Sequence, residues 1–277
     1  MNYVKELEIT DIIKIALKED IGVNDITTNT FIGPKKIAEG IFMAKEDLIV
    51  CGLGVVSQVF KAQDKTIGFS PVAKDGDCVK KGNTIAKVKG NARNILTAER
   101  VALNFLSLLS GISTKTRKYV DACRPYKTKI IDTRKTIPGL RLLQKYAVRI
   151  GGGYNHRLTL DEMILIKDNH LQVIGGINKL LKLTNKYKIE IEVKNLKEFR
   201  HALTLKPDII MLDNMPVKEM KKAVEMNKSV INPVMLEASG GITLNNVKSI
   251  ASCGIDMISI GGLTHSIDAV DISLEIG

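Results

Sequence analysis

The chain has 277 residues, 44% of them apolar and only 4% aromatic, with no tryptophan. That is enough apolar material for a packed core of Ile, Leu, Val and Ala in one large domain or two moderate ones, and it excludes a disordered or fibrous chain. A formal net charge of +11 attracts anions. The lysines, however, are scattered from Lys5 to Lys248 and base-stacking aromatic clusters are missing, which argues against nucleic acid.

The amino-terminal MNYVKELEITDIIKIALKED reads as an amphipathic helix interrupted by charge, not as a signal peptide. Residues 9–19 put Ile12, Ile13, Ile15, Ala16 and Leu17 on one broad face, with Thr10 or Asp11 as the cap. DIGVNDITT follows as a turn-rich loop. From Ile37 to Val88 short β runs alternate with turn signals at Asp75-Gly76 and Lys81-Gly82-Asn83, a small β-rich unit flanked by helices. Residues 93–122 lack proline and are apolar nearly all round between Val101 and Leu109. Such a helix is buried on every side, and an oligomer interface is its expected cover. No apolar run approaches the roughly 20 residues of a membrane helix. Cys51, Cys78, Cys123 and Cys253 form no CxxC pair, so neither a zinc site nor a redox dithiol is expected. The chain reads as soluble and cytoplasmic.

From Lys129 onward the pattern changes to short apolar runs, each ending in a polar or glycine-rich loop and followed by a helical segment. The runs are KIIDT, MILIK, IEIEV, DIIML, PVMLE and DMISI, spaced about 20 to 35 residues apart as parallel βα units require. Such a sheet, covered on its faces, carries its functional residues just past the carboxyl ends of its strands.

Charged residues crowd there. In DTRKTIPGLRLLQKYAVRIGGGYNHR, the cations Arg134, Lys135, Arg141, Lys145, Arg149, His156 and Arg157 gather within one helix and two loops. Any one of them alone reads equally well as a solvated basic face. Together, with Lys167 ending the next run, they suit an anion: the planar arginine fork matches a carboxylate and lysine a phosphate. Glu190 and Glu192 point the same way by the two-residue strand period. With Asp213 they suit sugar hydroxyls, a magnesium reached through water, or positive charge on a sugar, unless they only neutralise adjacent lysines. Ser239, Gly240 and Gly241, and later Gly261, Gly262 and His265, form two glycine-rich turns whose N–H groups, each at the start of a helix, are expected to take a phosphate. His201 reads as a surface residue, and His170 as one that orients its loop. Neither a Ser/His/Asp or Cys/His nucleophile set nor a P-loop stands out.

EDIGVNDITT, TAERVALNFLSLLSGIST, DTRKTIPGLR, KYAVRIGGGYNHR, LIKDNH, IEIEV, LDN, LEASGG and GGLTHS occur in this order over nearly the whole chain. In them the sequence resembles the quinolinate phosphoribosyltransferases. The resemblance implies an α/β class protein: a six-stranded parallel α/β barrel over 109–266, and an amino-terminal α+β sandwich over 1–108 completed by 267–277. It further implies transfer of a phosphoribosyl group from phosphoribosyl pyrophosphate to quinolinate with decarboxylation, in a homodimer or larger assembly where Arg100 reaches the partner's site. By the same resemblance Arg134, His156, Arg157 and Lys167 grip the two carboxylates. Thr133, Lys135, Glu192, Asp213, Ser239, Gly240, Gly241, Gly261, Gly262 and His265 surround the phosphorylated sugar, with Lys135, Glu192 and Asp213 closest to the chemistry. Mg2+ belongs with Glu192 and Asp213, directly or through water. Lys194 stands where relatives often carry an acid and Ile137 where they are commonly more polar, without removing a ligand. A homologue acting on nicotinate, a molybdenum-transport-associated relative and a basic nucleic-acid-binding protein are the rival readings.

Overall fold

The computed structural model describes residues 6–180 and 186–277. The first five residues of the expected amino-terminal helix lie outside them. In chain order the helices and strands are α1 (Glu6–Ile21), α2 (Ile26–Phe31), β1 (Ile37–Ala44), β2 (Leu48–Ile49), α3 (Leu53–Gln63), β3 (Gly68–Pro71), β4 (Cys78–Val79), β5 (Thr84–Asn91), α4 (Ala92–Cys123), β6 (Lys129–Ile131), α5 (Arg141–Ile150), β7 (Ile164–Ile166) and α6 (Asp168–Ile174). There follow β8 (Ile189–Val193), α7 (Leu196–Leu205), β9 (Ile209–Asp213), α8 (Val217–Lys228), β10 (Met235–Ser239), α9 (Val247–Ala251), β11 (Met257–Ser259) and β12 (Ile272–Ile276). They form two compact units, one of residues 1–117, 136–152 and 263–277, the other of 118–135 and 153–262.

The first unit is built on an antiparallel sheet in the order β12-β1-β5-β3. β12 comes from the chain's end and pairs with Gly40 to Ala44 of β1, so the last residues complete a sheet begun near the start. Phe42, Phe60 and Phe69 meet with ring centroids 5.9 to 6.0 Å apart, an aromatic knot in an otherwise aliphatic core.

Three local expectations change. α1 begins before Thr10 and Asp11, so neither caps it. Its buried face is Ile9, Ile13 and Leu17, spaced by four, and this turns Ile15 out to solvent. Residues 26–31 are helical rather than loop, because the Asp25 carboxylate accepts the Thr28 N–H at 2.9 Å and caps α2. On α4, Val101, Ala102, Leu103, Phe105, Leu106 and Leu109 are all buried within a single chain, so this apolar surface is covered without an oligomer interface. Among the described residues α4 is the one helix long and apolar enough to cross a membrane, but 61% of its most apolar window is buried, as in a core helix.

The second unit is an α/β barrel of six parallel strands, β6-β11-β10-β9-β8-β7, which are the six apolar runs of the sequence. Every residue of β8 is buried, as a strand covered on both faces requires. At the amino ends the carboxylates of Asp208 and Asp256 accept main-chain N–H groups of Ile189 and Leu236 on neighbouring strands, at 2.7 and 2.8 Å. This end of the sheet is stitched for stability, and the carboxyl ends are left to the loops. Beyond β6 the chain returns so that Tyr154 bridges Ile131 in parallel, which sets residues 155–157 alongside residues 132–135.

Gly111 decides how the tail closes the first unit. A Cβ there would stand 2.3 Å from the Asp268 carbonyl oxygen, which is backbone and cannot swing away. Alanine normally gains about 1 kcal/mol over glycine inside a helix. Overpacking of this kind costs about 1 to 3 kcal/mol and should outweigh it. Gly111→Ala is therefore expected to lower stability in urea melts, and a rise would mean that the tail does not pack on α4 as described.

Candidate active site

At the carboxyl ends of the second unit's strands, cations and acids meet in a defined order. Asp132, the first residue after β6, is fully buried; its Oδ1 accepts the His156 main-chain N–H at 2.9 Å and its Oδ2 accepts from the Asn155 amide. This carboxylate locks the 155–157 loop beside the start of the DTRK loop. In that loop the Thr133 hydroxyl accepts the Lys135 N–H at 3.0 Å, a tight turn that leaves Lys135 exposed.

Arg134 and Arg157 are the unusual pair. The Nε of each is buried without a hydrogen-bond partner. Burial first, and then the like charge of Arg134, pull Arg157 below the usual arginine range. Among the described residues the Arg157 guanidinium makes one hydrogen bond, Nη1 donating to the Met163 carbonyl at 2.9 Å. Two half-buried guanidiniums with unspent donors form a site that an anion would complete.

His156 faces inward. Its Nε2 lies 2.8 Å from Glu190 Oε2 and 3.6 Å from Glu237 Oε2, and its Nδ1 accepts the Arg157 main-chain N–H at 2.8 Å. Both acids are fully buried. Burial, and then the charge of Glu190, raise Glu237 well above the carboxylate range. The three groups could offer ligands to one metal ion. The 2.8 Å separation is nevertheless a hydrogen bond, shorter than the ~3.3 Å between two donors about 2.0 Å from a tetrahedral ion.

The neighbouring acids lie closer to the loops. Lys167 Nζ holds Glu192 Oε2 at 2.9 Å, and Lys194 holds Asp168 at 2.9 Å while adding positive potential near Glu192 and Asp213. His170 orients its loop as expected, its Nδ1 accepting the Lys167 N–H at 3.0 Å. Asp213 accepts from the side-chain amide of Asn214, and the Asn214 N–H donates to the Ser239 carbonyl at 2.8 Å. The loops after β9 and β10 are thus fastened together. Gly240 has a φ of +87°, and a Cβ on it would strike the Asn214 amide at 2.2 Å. Any other residue here would be strained in its backbone and would have to displace the Asn214 side chain.

The structure brings Thr133, Arg134, Lys135, His156, Arg157, Lys167, Glu192, Asp213, Ser239, Gly240, Gly241, Gly261 and Gly262 into the second unit, whereas Arg100 and His265 belong to the first. Arg100 is exposed, and its side chain makes no hydrogen bond or ion pair among the described residues. His265 Nδ1 lies 2.7 Å from the Ser266 hydroxyl. The expected helix starts at the glycine turns are corrected. α9 begins only at Val247, and Gly261-Gly262 enter a three-residue 3-10 turn, so neither glycine turn opens directly into an α-helix. The sequence marks Asp132 and Glu237 as acids at strand ends (KIIDT, PVMLE) but assigns neither a role.

Residues 25–110 match the quinolinate phosphoribosyl transferase N-terminal domain and residues 112–275 the C-terminal domain. The chain is 41% identical to the chloroplastic carboxylating nicotinate-nucleotide pyrophosphorylase of Arabidopsis thaliana, with 96% of this chain and 82% of that protein covered. Among solved structures it is similar to the nicotinate-nucleotide pyrophosphorylase of Francisella tularensis, with a TM-score of 0.91, 40% identity, and 99% of this chain and 98% of that one covered. The same protein from Ehrlichia chaffeensis gives a TM-score of 0.91 at 40% identity, covering 97% and 98%.

Holding two cations together without their anion costs stability. Arg134→Met keeps length and removes one like charge, so it should raise stability in urea melts by about 1 kcal/mol. A small aromatic diacid should raise the melting temperature of the natural chain and leave that of the variant unchanged. Destabilisation by the substitution would instead make Arg134 a structural residue.

Proposed function

This chain belongs to the quinolinate phosphoribosyl transferase family, and from that premise we propose that it converts quinolinate and phosphoribosyl pyrophosphate into nicotinate mononucleotide, carbon dioxide and pyrophosphate, a step of NAD biosynthesis. The observation that carries this reading is the Arg134–Arg157 pair with its unspent buried donors. One cation would serve a single carboxylate; two guanidiniums with Lys167 close by suit a diacid.

In the reaction the pyridine nitrogen forms a bond to the anomeric carbon as the bond from that carbon to pyrophosphate oxygen breaks, its electron pair leaving with the pyrophosphate. The ring nitrogen is then quaternary and accepts the electrons released when the adjacent carboxylate departs as carbon dioxide; a proton takes its place. Arg134, Arg157 and Lys167 hold the ring by its carboxylates and aim its nitrogen. Glu192 and Asp213 face the sugar, where their charge favours oxocarbenium character at the anomeric carbon. Lys135, with Thr133 and the N–H groups of Ser239, Gly240, Gly241, Gly261 and Gly262, receives phosphate, and His265 is assigned to the same ligand. A covalent enzyme nucleophile has no part in this scheme.

Glu192 and Asp213 end neighbouring strands, and each has one carboxylate oxygen engaged, by Lys167 and by Asn214. Hard oxygen donors in this arrangement fit a magnesium ion that arrives with the diphosphate, held directly or through water. Bound there, it supplies positive charge that offsets the leaving pyrophosphate.

Incubation with phosphoribosyl pyrophosphate, magnesium and quinolinate should release carbon dioxide in step with pyrophosphate. Chelation should stop the release and added magnesium restore it. Turnover of nicotinate but not of quinolinate would overturn the reading.

The working form in this proposal is a cytoplasmic homodimer in which Arg100 completes the partner's diacid site. Its support is an exposed arginine on a core helix whose side chain makes no hydrogen bond or ion pair among the described residues. Arg100→Ala and Lys167→Ala, each inactive alone, should regain about a quarter of wild-type activity when mixed and allowed to exchange subunits, since random pairing puts one intact site in half of the dimers. Proven exchange without recovery would confine each site to one chain.

A further inference from the structure

We propose that Glu190 and Glu237 are positioning residues of the diacid site, acting through His156 on the guanidinium of Arg157. The inference rests on the proposed reaction but concerns groups that never touch a substrate in it.

The connection can be followed atom by atom. His156 Nδ1 accepts the Arg157 main-chain N–H at 2.8 Å. An accepting Nδ1 leaves the ring proton on Nε2, which donates to Glu190 Oε2 at 2.8 Å. The His156 main-chain N–H is held separately by Asp132 Oδ1 at 2.9 Å. Both ring nitrogens are therefore occupied, and the ring is only 9% exposed. No ring atom is left to take a substrate carboxylate, so His156 acts from behind. It fixes the peptide of Arg157, and with it the direction in which that side chain leaves the loop.

The two acids are expensive where they stand. Both are fully buried, and among the described residues Glu190 Oε1 and both oxygens of Glu237 lack a well-formed hydrogen bond. Apolar residues of the same size would stabilise the barrel more. Burial and the charge of Glu190 raise Glu237, so the two acids are coupled where they face the single imidazole. What this costly arrangement yields is one ring orientation at the residue next to the guanidinium that the diacid must meet.

Glu190→Leu removes the acceptor with little change in volume. It is expected to raise KM for quinolinate at least about tenfold, the worth of one charged hydrogen bond, while KM for phosphoribosyl pyrophosphate stays within about twofold and thermal stability is unchanged or higher. Glu190→Gln keeps an acceptor oxygen and should restore most of the affinity. In an Arg157→Ala background, Glu190→Leu should add nothing, because its route is already cut. If Glu190→Leu does not fold, Glu237→Leu carries the same prediction at about threefold, Glu237 being the more distant acid. Equal rises in both KM values, additive effects with Arg157→Ala, or a stoichiometric metal in the purified protein that Glu190→Gln releases would overturn the inference. A natural chain inert toward quinolinate would defeat the proposed reaction, whereas an active chain whose Glu190 and Glu237 variants match it would defeat this inference alone.

Discussion

Arg134 and Arg157 stand side by side with donors that the protein does not use, and much of the second unit can be understood as the means of keeping them so. Like charges in a half-dry site repel, and guanidiniums left to themselves turn toward water or toward an acid. The acids on β8 and β9 are each occupied, Glu192 by Lys167, Glu190 by His156 and Asp213 by the amide of Asn214, while Glu237 on β10 lies fully buried behind them. The acids nearest the cations are thereby kept from cancelling them. Their potential is left for an anion from outside.

Strand order explains how the two signs are kept apart. β6 and β7 end the hydrogen-bonded ladder on opposite edges, and the cations belong to those edges: Arg134 just beyond β6, Arg157 beyond the Tyr154 bridge to β6, Lys167 just beyond β7. The acids lie on the strands between. Arg157 reaches from the loop beside β6 to the carbonyl of Met163, immediately before β7, so the guanidinium also links the two edges that no backbone ladder joins. One side chain thus serves closure of the barrel and recognition together. A diacid at this seam would meet cations on both edges.

The sequence made the six barrel strands legible because each is a continuous apolar run, and β8 shows why, being buried at every position. Glu190 and Glu192 were legible as a pair through the two-residue period. What could not be read was the partner of each. Glu192 takes a lysine at a neighbouring strand end, while Glu190 takes a histidine from a loop 34 residues earlier, a choice set by the return of the chain past Tyr154 and not by any local pattern. Local signals also lost to tertiary packing in α1, where Ile15 fits an apolar helical face but the neighbour at that face accepts only the Ile9, Ile13, Leu17 row. The glycine turns were legible as turns, yet their use was not: Gly240 is needed because Asn214 occupies the space where a Cβ would go.

Asn214 shows how the costs are distributed. It is one of two non-glycine residues with a positive φ among the described residues, at 53°, and so holds strained backbone directly after Asp213. Its amide contacts Asp213, its N–H is tied to Ser239, and its side chain fills the space that a Cβ at 240 would take. A relaxed asparagine would free all three at once. The strain therefore couples Asp213 to the Ser239–Gly241 turn, so that neither loop can move far without the other. Unpaired guanidiniums, buried acids and one strained asparagine each lower stability where they stand. They are concentrated at one end of the barrel, while Asp208 and Asp256 stitch the other.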